Sequence, residues 1–346
     1  MNNYNSRIWW VLNHFTNDKF SSSLDLLEGK TFENIYNGKE HTNKFGKFFI
    51  IEELDFKFKH LNYTKSKFID AISDELELVK GISKDTKKML KEEGLNKIQD
   101  LITHKKHSKN AKEVLEILSL NKLEIYFNNL KKGFSKSHRV RILGSLLVKD
   151  EDIVYVDIET LGLSDSPVFL IGLGYFVNGE SKFIQLIARN LEEEKSMLLY
   201  FSEFLSSKKA IYSFNGKSFD MPFIKNRLNY YSLNSEFNQL HFDILFACRL
   251  HFTPEIIVGF ENIRPRKTEF KKIYSNFQGF TLQSLEKQVL KFDRGKDVPG
   301  FLIPEIYSYY LVSKNIAFLL PIIEHNKIDI LTTMKLRSFL IKLLTK

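Results

Sequence analysis

Asn178-Gly179 separates two strand-like runs, Val168 to Val177 and Ser181 to Ala188, and no other feature of the chain constrains its fold more tightly. A two-residue connection between paired strands requires positive φ at both positions, which Asn and Gly adopt at least cost, so the runs are expected to form an antiparallel hairpin. Upstream, Ile153-Val154-Tyr155-Val156 is a continuous apolar run that ends in acidic residues, the pattern of a buried strand. Downstream, Asn190 and Glu193 are spaced as N-cap and capping-box partner. They open a helix with Met197, Leu198, Phe201, Phe204 and Leu205 on its apolar face. Ala210 to Phe214 reads as a fourth strand and the remainder mainly as helix. Three strands, a helix and a strand predict an α+β region over residues 148–346.

The chain before it divides in two. Residues 1–65 mix Asn-rich polar stretches with short aromatic runs such as Phe45-Gly46-Lys47-Phe48-Phe49-Ile50-Ile51, and read as a small, irregular β-containing segment. Residues 66–147 carry Glu, Lys, Leu and Ile at helical spacing and end in a basic connector with Lys131, Lys132, Lys136, Arg139 and Arg141. Cys248 is the only cysteine, which excludes a disulfide within the chain and a thiolate zinc site, and fits a reducing compartment. The first residues lack the basic and apolar regions of a signal peptide. The longest apolar run, Val168 to Val177, falls short of the ~20 residues of a membrane helix. A soluble, cytoplasmic protein with no membrane partner is expected. The formal charge is +9, from 51 basic and 42 acidic side chains, which suits a polyanionic partner without requiring one.

Asp157-Ile158-Glu159-Thr160 follows the first strand of the α+β region directly. Residues i and i+2 of a strand share a face, so Asp157 and Glu159 offer two carboxylates to one space. Side by side they repel unless a cation lies between them, and hard oxygen ligands suit Mg²⁺ or Mn²⁺. An isolated DxE is more often an exposed strand end, so the rest of the pattern decides. Asp220 closes Phe214-Asn215-Gly216-Lys217-Ser218-Phe219-Asp220 and opens a helix, where an Asp commonly just complements the helix dipole. His325 and Asp329 are one turn apart on a late helix and share a face.

Taken in order, DxE after a strand, NxxxFD before a helix and a late HxxxD resemble the DEDD exonucleases. FNGKSFD, HFDIL, DVPG and EHNKIDIL are most similar to the YprB-like RNase H-like group, over residues 153 to about 336. The resemblance implies an RNase H-like nuclease domain, a mixed sheet flanked by helices. It implies metal ligands at Asp157, Glu159, Asp220 and Asp329, with two Mg²⁺ or Mn²⁺ ions serving an in-line phosphodiester displacement. Asp157 would bridge the ions, Glu159 and Asp329 would hold the one that acidifies the attacking water, and Asp220 would serve the other. His325 would be the general base. One departure is visible: members with a histidine base usually show HxxxxD, whereas the one-turn spacing here is typical of members with tyrosine. The implied activity is a 3′-to-5′ exonuclease on single-stranded RNA or DNA. An endonuclease with the same metal chemistry and a non-catalytic nucleic-acid-binding protein are the alternatives.

Several residues are candidates for nucleic-acid contact. Asn215 and Lys217 lie within the second motif, and Arg264, Arg266 and Lys267 form a basic run between the second and third motifs that could track a strand backbone. Gly81, in Leu78-Val79-Lys80-Gly81-Ile82-Ser83, belongs to a stretch resembling a helix-hairpin-helix. Such a hairpin offers backbone N–H groups to phosphate, although Ser83 replaces its usual second glycine, and a plain helical packing module is equally compatible. Asp243 resembles a position near the site but reads equally as a helix N-cap. Gly172 and Gly174 form a GxG within a strand, with neither the third glycine nor the following helix of a phosphate-binding loop.

Overall fold

The computed structural model describes residues 25–53, 56–58, 65–119, 126–127, 139–252 and 279–345. Among them seven strands form one mixed sheet: β1 (Gly38–Asn43), β2 (Gly46–Glu53), β3 (Ile153–Thr160), β4 (Val168–Val177), β5 (Glu180–Ile187), β6 (Ala210–Ser213) and β7 (Leu240–Asp243). Their order is β1-β2-β5-β4-β3-β6-β7. Pairing is antiparallel from β1 to β3 and parallel from β3 through β6 to β7. The expected hairpin is β4–β5, with Asn178 at φ 53° and Gly179 at φ 80° as the turn demands. The fold is the α+β, RNase H-like arrangement expected.

Two features of the sheet differ from the sequence reading. The β1–β2 hairpin does not stand apart from the α+β region, because β2 pairs with β5 along Phe49↔Ile187 to Glu53↔Phe183. Phe48, Phe49, Ile50 and Ile51 are buried on both faces of the strand, as in a sheet covered above and below. β7 falls where helix is expected; four residues are too few to show a period.

The chain forms two compact units. In the unit that contains the sheet, four helices matter for the site: α1 (Glu194–Ser206), α2 (Asp220–Tyr230), α3 (Ile303–Ser313) and α4 (Leu320–Leu344), the last belonging to this unit up to Leu336. Asn190 caps a 3₁₀ turn (Leu191–Glu193) that leads into α1, accepting from the N–H groups of Glu192 and Glu193, while Glu193 reaches back to the Arg189 N–H at 2.8 Å instead of to that of Asn190 as expected. Val154, Val156, Ile158, Ile171 and Leu173 join Met197, Leu198 and Phe201 of α1 in the main core. Each such side chain contributes about 1.5–3 kcal/mol by leaving water. β3 is thereby fixed with its opposite face, bearing Tyr155, Asp157 and Glu159, turned away from that core.

α4 lies close to β4, and two glycines make that possible. A Cβ on Gly174 would stand 2.7 Å from Ile330 Cγ2, and one on Gly172 would overlap the Asn326 side chain. The GxG of the sequence is a helix seat.

The second unit contains helices Lys65–Ile72, Lys84–Glu92, Ser108–Ser119 and Arg139–Gly144, and Leu76, Val79, Ile82, Leu90, Ile98, Leu101 and Ala111 form an apolar cluster within it. Ser83 caps Lys84–Glu92 by accepting from the Thr86 N–H at 3.2 Å, and Gly81 turns the chain at φ 89°. The Arg139 guanidinium binds the Ala71 carbonyl and pairs with Asp74 at 3.4 Å, so this arginine of the basic connector is engaged within its own unit. Lys131, Lys132 and Lys136 lie outside the described residues. No helix among the described residues is long and apolar enough to cross a membrane.

Candidate active site

β3 runs five residues past its last pair with its parallel neighbour: Ile153, Val154 and Tyr155 pair with β6, whereas Asp157 and Glu159 lie beyond the last pair. The space left at that end of the sheet receives the turn after β6 and the first residue of α2. Asp220 enters it buried, its Oδ1 accepting the Ile158 N–H at 3.2 Å. The turn is held by Asp243 at the end of β7, whose carboxylate accepts the N–H groups of Asn215, Lys217 and Leu245 at 3.0, 3.0 and 3.1 Å. Asn215 takes φ 64°, a conformation Asn tolerates better than most residues. Asp243 is therefore both the cap of the following helix and the anchor of the loop that delivers Asp220.

On the antiparallel side, Asp157, Gly172 and Gln185 are cross-strand neighbours. Gly172 leaves room for Asn326 of α4 to drop onto this row. Asn326 Nδ2 donates to Asp157 Oδ2 at 2.8 Å, and Gln185 Nε2 donates to Asn326 Oδ1 at 3.0 Å and to the Ile323 carbonyl at 2.8 Å. The latch fixes the rotation of α4, which in turn presents His325 and Asp329 toward Glu159.

His325 Nδ1 lies 2.8 and 2.9 Å from the two oxygens of Asp297, and its Nε2 is 3.5 Å from Asp329 Oδ2. Arg294 donates through Nη1 to Asp297 Oδ2 at 2.8 Å and through Nε to Glu286 Oε2 at 2.7 Å, and its Nη2 stands 2.7 Å from Asp329 Oδ1. Glu286, in a π-helical turn (Glu286–Leu290), also accepts from Thr332 of α4. Arg294, Asp297, Asn326 and Gln185 have no role in the sequence reading. DVPG contains Asp297, and Asn326 lies between His325 and Asp329, but no local spacing shows what either touches.

The charges report on one another. Burial first, then Asp329, Asp220 and Glu159, push the Asp157 carboxyl well above its usual range. Glu159 is raised to about 8 by burial and by Asp329 and Asp220, with His325 opposing. Asp220 is raised to about 7 by burial, against its hydrogen bonds from its own N–H and that of Ile158, and with Asp243 and Asp329 adding to the rise. Burial also raises Asp329, with His325 and Arg294 opposing. Burial alone would lower His325, but Asp329, the Asp297 hydrogen bond and Glu159 outweigh it and bring the imidazole to about 9. The site thus gathers more negative charge than it can comfortably keep, in oxygen donors that suit a hard divalent cation. Among the described residues no three His, Cys, Asp or Glu side chains already converge in metal-ligand geometry. The positive charge beside Asp329 belongs instead to Arg294 and His325.

The family model of the RNase H superfamily matches residues 154–341. The chain belongs to the RNase H superfamily. The matched segment of this RNase H-superfamily chain runs from β3 through α4 and includes all four carboxylates. The uncharacterized protein YprB of Bacillus subtilis (strain 168) is 21% identical over 252 residues, 70% of this chain and 51% of that protein. The chain thus spans about half the length of this relative, and the match agrees with the resemblance carried by the motifs. Escherichia coli exonuclease I, solved in complex with a dA16 oligonucleotide, is 14% identical with a TM-score of 0.29, covering 52% of this chain and 44% of that one. Of the other sequence candidates, Gly81 lies in the second unit, and Arg264, Arg266 and Lys267 lie outside the described residues.

Proposed function

We propose that this protein is a metal-dependent nuclease that hydrolyses phosphodiester bonds of single-stranded nucleic acid as a 3′-to-5′ exonuclease. The observation that carries the reading is the gathering of Asp157, Glu159, Asp220 and Asp329 from a strand and two helices, where burial raises each carboxyl and, at Asp157, Glu159 and Asp220, the other carboxylates add to the rise. A crowd of one buried and three half-buried carboxylates has little structural use, since replacing them with apolar groups would relieve both repulsion and desolvation. These four residues would hold two Mg²⁺ or Mn²⁺ ions, which when bound stabilise negative charge on the oxygens entering and leaving phosphorus.

The chain's own groups have separate tasks. Asp297 accepts the Nδ1 proton of His325 and so fixes the tautomer whose Nε2 faces the site. In the metal-free state His325 carries a proton, held by the carboxylate field. With ions bound, which would offset that field, Nε2 would be placed to accept a proton from the attacking water. Gln185 and Asn326 keep Asp157 in place by neutral hydrogen bonds. Asn215, Lys217 and, outside the described residues, Arg264, Arg266 and Lys267 would contact the substrate, and Gly81 of the second unit would approach a phosphate.

Oligonucleotides labelled at the 5′ end test the reading, with the 3′ hydroxyl either free or blocked. An exonuclease of this polarity shortens the free strand stepwise and spares the blocked one. Equal cleavage of both would replace it with an endonuclease, and cleavage of neither in Mn²⁺ with a binding-only protein.

A further inference from the structure

Arg294 is buried, its side chain only 3% exposed, and it faces three carboxylates, Glu286, Asp297 and Asp329. A buried guanidinium needs compensation, but one carboxylate suffices for charge balance. Here the surplus is negative. The guanidinium cannot swing aside as a surface arginine does, because Glu286 grips two of its nitrogens and is itself held by Thr332 of α4, three residues beyond Asp329.

The two ends of the carboxylate site are held differently. Asp157 is held by the amide of Asn326, a neutral donor that places no charge in the way of an incoming cation. Asp329 Oδ1 is held by a full positive charge. We propose that Arg294 is a resident counter-cation of the carboxylate site, which keeps Asp329 tolerable without metal and competes with a divalent ion for it. The proposal rests on the reading of Asp157, Glu159, Asp220 and Asp329 as metal ligands. Arg294 acts through Asp329 and is a positioning residue. Its consequence is asymmetry: Asp329 offers Oδ2 and keeps Oδ1 for the arginine, so an ion held by Glu159 and Asp329 would bind more weakly than one served by Asp220.

Calorimetric Mn²⁺ titration of EDTA-stripped wild type, Arg294→Met and Arg294→Lys tests this without turnover. Removing a fixed charge a few ångströms from a divalent ion should tighten the weaker Mn²⁺ site of Arg294→Met by about tenfold or more. Arg294→Lys keeps the charge and should stay within about threefold of wild type. If Arg294→Met does not fold in EDTA, the double variant with Glu286→Gln, which neutralises the orphaned carboxylate, carries the same expectation. Mn²⁺ binding that is unchanged or weaker on loss of the positive charge would overturn the proposal and leave the ligand assignment intact. A wild type that binds no Mn²⁺ and hydrolyses nothing would overturn both.

Discussion

Asp220→Asn should stabilise the metal-free protein, by an amount that grows with pH. Asp220 is 4% exposed, and its carboxyl, with an ordinary value of 3.8, titrates at about 7. A folded pKa above the unfolded one means that the folded state holds the proton more tightly. The associated stability is complete below 3.8 and is lost as pH rises through about 7. Each pH step between the two values costs ~1.4 kcal/mol, so ionising this group in the fold at pH 8 costs on the order of 4 kcal/mol. Asparagine removes that cost and can still accept the Ile158 N–H. Urea unfolding in EDTA at about pH 5 and pH 8 measures the effect, and the advantage of the variant should widen across that interval by on the order of 3 kcal/mol. Saturating Mg²⁺ should reverse the order, since the variant lacks a ligand. A variant less stable than wild type in EDTA at pH 8, or an advantage independent of pH, would refute the electrostatic account of this site.

His325→Ala should lower single-turnover hydrolysis by about 10² to 10⁴, the usual worth of a positioned base, while Mn²⁺ affinity measured by calorimetry holds or tightens. Gly172→Ala should cost about 1–3 kcal/mol in urea unfolding, because its Cβ would overlap Asn326, and should lower turnover by shifting α4.

How much of this was legible in the sequence follows the range of the signals. The β4–β5 hairpin, the capped helix α1, and the strand carrying Asp157 and Glu159 are written in short-range periodicity and turn chemistry, which a single sequence displays. Joining β2 to β5 depends on pairing over more than a hundred residues, and no local pattern encodes it. The unbroken run Phe48–Ile51 was the available clue, since a strand apolar on both faces needs a sheet covered on both sides, which a small separate segment does not supply. The carboxylates stood out because three ordered motifs coincided. Arg294 and Asp297 did not, being two among 93 charged side chains. Only the fold shows that a segment some 30 residues before His325 and Asp329 supplies partners to both. The functions of Gly172 and Gly174 were hidden for the same reason: a glycine in a strand signals a close approach but does not name what approaches.

The central claim is that the four carboxylates form a metal-dependent hydrolytic site, and its most direct test is degradation of end-labelled single-stranded RNA and DNA by EDTA-stripped protein. Wild type should cleave after Mn²⁺ or Mg²⁺ is restored and not in EDTA, whereas Asp157→Ala, folded by circular dichroism, should be inactive under every condition. Cleavage by wild type in EDTA, or undiminished cleavage by Asp157→Ala, would contradict the account.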